Sequence, residues 1–394
     1  MRSRWTILAV LFAARAAMAF QFQSVGAVAP LISGSVGASL ADIGILIGLY
    51  LAPGVALALP GATIGERYGD KATVLAGLLM MLVGEMLMAA SPLWTLQVGG
   101  RLISGTGGVL LNVLMTKMVA DWFAGREIAT AMAIYINSWP AGIAIALVVL
   151  PPIGTTFGVT AVGIAVSVLV IAAIGLITFI YRTPEGSPAS GVERAGISAG
   201  TAYALIAAGL IWCLYNVGFA MVFSFGPSML VERGWSNAAA GSTISVVLWL
   251  ATLSVPLGGF LADRTKRSGA VLAIGCSGFA FLVLLLSRNG PALLLGIAMG
   301  IVCGLPAGAI VSLPTRVLEQ KTRSIGMGVF YTVYYAGMLA APVIGGKLAT
   351  WAGTAAAALA FGAAALFLCP LLLWSFYRIS RLSRPMVAPS RQGG

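Results

Sequence analysis

Histidine is absent from the 394 residues, and only 9% of them are charged. The first absence removes the side chain that titrates most readily near neutral pH. With it go any Ser/His/Asp catalytic set and any histidine-based metal site. The second absence excludes an ordinary soluble domain, where about 25% of residues are charged. A chain with 59% hydrophobic residues and a mean hydropathy of +1.00 has too little polar surface to cover a soluble core. Cysteine is scarce too. Cys213, Cys276, Cys303 and Cys369 lie in apolar runs without paired spacing, so they read as small packing residues rather than disulfides or metal ligands. No Walker pattern occurs, and Gly105-Thr-Gly107-Gly108 sits inside an apolar run rather than after a strand. The expectation is that the chain is not an enzyme and uses no cofactor or metal.

What is present is a succession of apolar stretches, each long enough to cross a bilayer at about 17–25 residues. Spans are expected over 5–30, 41–62, 72–91, 93–118, 128–151 and 157–181, then 201–230, 237–261, 268–287, 291–314, 325–348 and 353–377. The fold class is therefore an all-α membrane protein with twelve transmembrane helices in two pseudo-symmetric six-helix bundles. An N-terminal bundle covers 1–181 and a C-terminal bundle 201–377. The longest polar interruption, 182–200, is the linker, and 378–394 form a basic tail. The 50 glycines suit helices whose backbones approach closely.

Charge tests this layout. With the amino terminus cytoplasmic, inside segments receive Arg2, Arg4, Arg67, Lys71, Lys117, Arg126, Arg182 and the later basic loops and tail. Outside segments receive only Arg233, Arg288 and Lys347. Both termini are then cytoplasmic, in a bacterial-type inner membrane. The net charge of +12 is topological, with the tail near anionic lipid headgroups, and no nucleic-acid partner is expected. Met1-Arg-Ser-Arg4 and Ala17-Met18-Ala19 imitate a cleaved secretory signal. Arg15 interrupts that apolar core and the run continues to Ala29, so the segment reads as the first span.

A charged island, Ile64-Gly65-Glu66-Arg67-Tyr68-Gly69-Asp70-Lys71, recurs as Gly259-Phe260-Leu261-Ala262-Asp263-Arg264-Thr265-Lys266-Arg267. Met132–Gly142 aligns with Met327–Gly337 at a similar offset, and Gly105 with Gly300. Such duplication marks a transporter made of two bundles. These residues resemble the major facilitator superfamily, whose loop between the second and third helices follows G-x-L-a-D-r-x-G-r-k. Glu66, Arg67, Gly69 and Lys71 match it, with Ala62 in place of the first glycine and Asp70 where a basic residue is usual. The second copy keeps Gly259, Leu261, Asp263 and Arg264. Arg101-Leu-Ile-Ser-Gly105-Thr-Gly107 resembles the family's R-x-x-q-G-x-g pattern. Phe20-Gln21-Phe22-Gln23 and Asp121-Trp122-Phe123 are loosely similar to the cyanate and nitrate/nitrite permease branch. The resemblance implies alternating access and a gating role for the loops. Glu66 and Arg67 would meet Asp121, while Asp263 and Arg264 would meet Arg316 or Glu319 in the other half.

Three charges fall inside the spans: Arg15, Glu85 and Arg101. A mid-helix arginine costs about 2.5–3.5 kcal/mol on insertion scales, so each needs a partner or a wet cavity. Arg15, Ala19 and Gln23 share one ridge, and Gln97, Arg101, Gly105, Gly108 and Asn112 another. By the resemblance, the first, fourth, seventh and tenth helices border the cavity. The candidate substrate residues are thus Arg15, Gln23, Arg101, Asn112, Tyr135, Asn137, Tyr215, Asn216, Tyr331 and Tyr334. An uncompensated guanidinium favours a small organic or inorganic anion, moved by symport or exchange. Two roles are open to Glu85: carrying a coupling proton, or neutralising Arg101. The alternative is a proton-antiport efflux carrier for amphipathic compounds. The chain is expected to act as a monomer.

Overall fold

The computed structural model describes residues 4–57, 60–123, 127–183, 197–318 and 323–382. Among these residues the structure is helical without strands. Twelve helices are long and apolar enough to cross a membrane. The first six are Arg4–Ala27, Leu40–Leu57, Asp70–Ala90, Trp94–Trp122, Ile134–Phe157 and Val159–Phe179. The last six are Ala199–Glu232, Asn237–Ala262, Ser268–Ser287, Ala292–Val311, Gly326–Ala352 and Ala356–Ser380. We number these spans one to twelve. Arg4 and Ser380 begin and end an even number of crossings, so they lie at one face, here the terminal face. Most of the linker 182–200 and of the tail 378–394 falls outside the described residues.

Local sequence sets the helix ends. Ser39 and Asp42 form a capping box: the Ser39 hydroxyl accepts from the Asp42 N–H (3.2 Å) and the carboxylate accepts from the Ser39 N–H (2.8 Å). Ser198 and Ser236 cap the seventh and eighth spans through Thr201 and Ala239. Glu232, ending the seventh span, accepts from the Ala355 N–H (2.9 Å) at the start of the twelfth. The fifth span departs from the expected 128–151. Its helix runs through Pro151 and Pro152 to Phe157, and Gly158, at φ +84°, turns the chain into the sixth. Prolines are tolerated there because neighbouring helices can serve the carbonyls they leave unpaired.

Those unpaired carbonyls are where the two halves meet. Pro227 has no N–H, so Phe223 O loses its helical donor, and Gln23 Nε2 of the first span donates to it (2.7 Å). Pro256 frees Thr252 O in the same way, and Asn137 Nδ2 donates there (3.2 Å). Pro151 frees Leu147 O, which lies against Gly241 of the eighth span so closely that any Cβ would collide with it. Near the face opposite the termini, the second and eleventh spans press together at Gly44, where a Cβ would strike Pro342 O. There Ala41 N–H also donates to Thr350 Oγ1 (3.0 Å). Among the described residues, the polar side-chain ties at the terminal face all stay within one half.

Replacing Gln23 by Ala should destabilise the protein by about 1 kcal/mol, within the ~0.6–1.7 kcal/mol found for hydrogen bonds between membrane helices. In a Pro227→Ala background, where Phe223 O regains a helical donor, the same change should cost close to nothing. Reversible unfolding of the four proteins in detergent measures the coupling.

Candidate functional site

Arg15 lies eleven residues into a helix that starts at Arg4, roughly 16 Å at 1.5 Å per residue, near mid-bilayer. Its guanidinium Nε donates to Asn112 Oδ1 (3.1 Å) of the fourth span. One terminal nitrogen, Nη1, donates to the carbonyls of Tyr135 (3.2 Å) and Ile136 (3.1 Å) and to Ser138 Oγ (3.3 Å). These acceptors gather where the chain breaks between the helices Ile128–Ile136 and Ser138–Phe157, which exposes carbonyls at the first helix's end. The cation also lies over the rings of Tyr135 (4.8 Å) and Trp139 (5.9 Å). The other terminal nitrogen, Nη2, makes no hydrogen bond to a described residue. No carboxylate stands within 4 Å of the group among the described residues.

From Arg15 a series of aromatic contacts runs toward the second half. Trp139 packs on Phe22 (5.2 Å between centroids), which meets Phe223 (6.1 Å), and Phe223 meets Phe219 (5.4 Å). On the second half Trp212 is stacked on Tyr215 (5.5 Å) and lies beside Tyr334 (6.2 Å). Tyr334 touches Tyr335 (5.1 Å), whose hydroxyl accepts from Asn112 Nδ2 (3.1 Å) and so returns the circuit to Arg15. Arg15, Asn112, Trp139, Trp212, Asn216, Phe219, Tyr331 and Tyr334 are half-buried.

Several candidates are committed elsewhere. Tyr215 donates its hydroxyl to Cys303 O (2.7 Å), at the break in the tenth span, and Asn216 Nδ2 bonds its own helix at Trp212 O (2.7 Å). Gln23 and Asn137 hold the other half, as above. Trp212 and Phe219 were not among the candidates. The spacing Trp212, Tyr215, Phe219, Phe223 puts one aromatic face on the seventh helix and could have found them.

Arg101 differs from Arg15 in burial and in having all its guanidinium nitrogens engaged. It is 0% exposed. Its three kinds of guanidinium nitrogen donate to Leu46 O (3.1 Å), Gln21 O (3.0 Å) and Phe22 O (2.7 Å), and it lies over the Tyr50 ring (5.0 Å). A direct ion pair with Glu85 does not form; Gln21 stands between them. Its backbone carbonyl takes Arg101, and its side-chain nitrogen donates to Glu85 Oε2 (3.0 Å) and Met81 O (2.8 Å). Glu85, 3% exposed, is thus linked to Arg101 through Gln21, inside the first half. Gln97, on the same ridge, binds the carbonyls of Met88 (2.8 Å) and Ser91 (2.9 Å) at the end of the third span. Helical periodicity places Gln97, Arg101 and Asn112 on one face, but that face crosses from the bundle interior to the cleft along its length.

At the terminal face one rim ion pair is not among those expected from the sequence. Gly69, at φ +85°, starts the third span at Asp70, and that carboxylate pairs with Lys117 (3.0 Å) near the end of the fourth. An acidic residue suits a helix N-terminus, which accounts for aspartate where a base is usual. Lys71 donates to Thr178 O and Tyr181 O (both 2.9 Å). Arg67 is exposed beside the Tyr68 ring, Asp121 is half-buried, and the Glu66 and Asp263 side chains fall outside the described residues. Arg264 lies over Phe260. In the second half Arg316 donates to Ser268 Oγ (2.6 Å) and Tyr377 OH (3.3 Å). Trp122 Nε1 donates to Arg182 O (3.0 Å), and Arg4 pairs with Glu127 (2.9 Å). Among the described residues no cluster of carboxylates and thiols converges as a metal site, and the four cysteines are buried and unbridged.

Twelve apolar helical spans, with a half-buried arginine at mid-depth, are the architecture of a multi-pass membrane protein. The family model of the Major Facilitator Superfamily matches residues 11–236 and 208–392. The chain belongs to that superfamily, whose transporters have the alternating-access fold. It is 24% identical over 332 residues to the inner membrane transport protein YajR of Escherichia coli, covering 80% of this chain and 70% of that protein. It is 23% identical over 270 residues to the hexuronate transporter of Bacillus subtilis, covering 62% of each. Among solved structures, the inward-open xylose transporter XylE of E. coli superposes with a TM-score of 0.79 at 12% identity, over 95% of this chain and 96% of that one. A bacterial homologue of the human lysosomal transporter Spinster, in an inward-facing conformation, gives 0.73 at 15% identity over 96% of each chain.

Removing Arg101 strands the buried Glu85, a change that typically costs about 3–5 kcal/mol. Arg101→Ala should therefore fail to give monodisperse protein, while Arg15→Ala, cut from a half-exposed site, should purify normally. Size-exclusion chromatography of the two variants separates the roles of the two arginines.

Proposed function

We propose that this chain is a secondary active transporter for a small anion, with Arg15 as the charge that binds it. One observation carries the reading. A guanidinium at mid-depth between the halves has an unused terminal nitrogen and no carboxylate beside it among the described residues. Five planar donors suit a carboxylate or oxyanion, and a bilayer interior tolerates such a charge poorly unless it serves a ligand or pathway. Asn112, Tyr331 and Tyr334 would complete the site. Gln23 and Asn137 would hold the halves together on one side of it, so that rocking exposes Arg15 alternately to the two faces. One relative is named for an organic anion, hexuronate, which agrees with this cargo class.

The stretches resembling the cyanate and nitrate/nitrite branch lend no support to a particular cargo, because Gln21 and Gln23 are both engaged in helix contacts. An efflux carrier for amphipathic cations would need an acidic group in the cleft. The one buried carboxylate among the described span residues, Glu85, lies behind Gln21. We assign it to neutralise Arg101. The charge bias of the loops supports cytoplasmic termini in a bacterial-type inner membrane. The bundles 1–181 and 201–377 would move as units within a monomer, with the Asp70–Lys117 tie at the rim of the first.

Purified protein in liposomes tests these assignments. Arg15→Ala should abolish anion uptake, at least 100-fold below wild type, and Arg15→Lys should restore only part of it; unchanged uptake in Arg15→Ala would overturn the site. Glu85→Gln should keep whatever dependence on a proton gradient the wild-type protein has. If that dependence vanished, Glu85 would be the proton carrier instead.

A further inference from the structure

The anion reading leaves the body of the cargo open, and the walls of the cleft speak to it. An inorganic oxyanion presents oxygen in every direction and needs donors on several sides. Here the charged donor is on one side. Arg15 and Asn112 stand together in the first half, and the second half adds the Tyr331 and Tyr334 hydroxyls and, beyond them, ring surface alone. Trp212 is held flat by stacking on Tyr215 (5.5 Å, planes 22° apart) and on Phe330 (6.5 Å, 24°). Its own packing therefore fixes its orientation while it stays half-buried. Phe219 continues that surface beside Tyr215 (6.5 Å, 18°), and Trp139 carries it back to Arg15. Within the spans of the second half no charged residue is described between Ala199 and Glu232 or between Gly326 and Thr332, so nothing there would meet a second carboxylate.

Resting on the proposed anion site, we infer that the cargo is a monocarboxylate with a flat aromatic or branched apolar body. The carboxylate takes Arg15 Nη2, and the body lies against Trp212 and Phe219. A dicarboxylate would leave one charge against rings without a cation, and desolvating that charge is costly. Nitrate would fill the Arg15 end and leave the aromatic wall uncovered. Stacking on a pre-oriented ring adds to affinity at low entropic cost.

Isothermal titration of the purified full-length protein with sodium benzoate, sodium nitrate and disodium succinate tests this. Benzoate should bind at least tenfold more tightly than either of the others. Trp212→Ala should weaken benzoate about tenfold while leaving nitrate unchanged, and Trp212→Phe should recover most of the loss, which excludes a folding defect. Arg15→Ala should remove binding of all three. Nitrate or succinate binding as tightly as benzoate, still dependent on Arg15, would overturn the cargo class and leave the anion site standing. If none of the three bound in an Arg15-dependent way, both readings would fall together.

Discussion

A hydrocarbon interior offers no water to a backbone carbonyl, so each one that loses its helical donor must find another. Much of this molecule follows from where those carbonyls are. Pro227 and Pro256 each leave one open on the second half, and amide side chains of the first half, Gln23 and Asn137, fill them. Arg101 is retained in the apolar interior because three carbonyls surround it. Arg15 is partly held by two more, at the break before Ser138. Ties of amide to carbonyl carry no net charge and are worth on the order of 1 kcal/mol each. They suit two halves that must separate and rejoin in every cycle.

The duplication visible in the loops persists at the rim in position but not in chemistry. Asp70 begins the third span and meets Lys117 near the end of the fourth. Ser268 begins the ninth and meets Arg316, just past the tenth. The same helix ends are clasped in both halves, once by an ion pair and once by a hydroxyl. In mid-membrane the halves diverge further, with the charge in the first and most of the ring surface in the second. A repeat can thus conserve the frame that moves while its two copies take different parts of the cargo.

The twelve spans were legible because hydropathy over twenty residues survives any detail of packing. Arg15 was legible too, since a charge within an apolar run stands out. What periodicity could not supply was the partner. It put Arg101 and Asn112 on one ridge, yet the neighbour that separates them is set by the first helix crossing that ridge. Gln23 read as a ligand because its true acceptor, Phe223 O, is 200 residues away and is available only through Pro227. The rim pair of Asp70 with Lys117 went unread for a similar reason. Asp70 departs from the family's loop pattern, and its departure is what makes the pair with Lys117.

One consequence of the lone guanidinium concerns voltage. With a monoanion bound, the cleft holds a plus and a minus charge side by side and is electrically neutral; emptied, it holds one positive charge near the middle of the membrane. A potential difference acts on an unbalanced charge with about 2.3 kcal/mol per 100 mV for full transfer, and hardly at all on a balanced pair. For the proposed monoanion carried without a coupling ion, the loaded crossing would be nearly indifferent to the membrane potential, and the electrical work would fall on the return of the empty carrier.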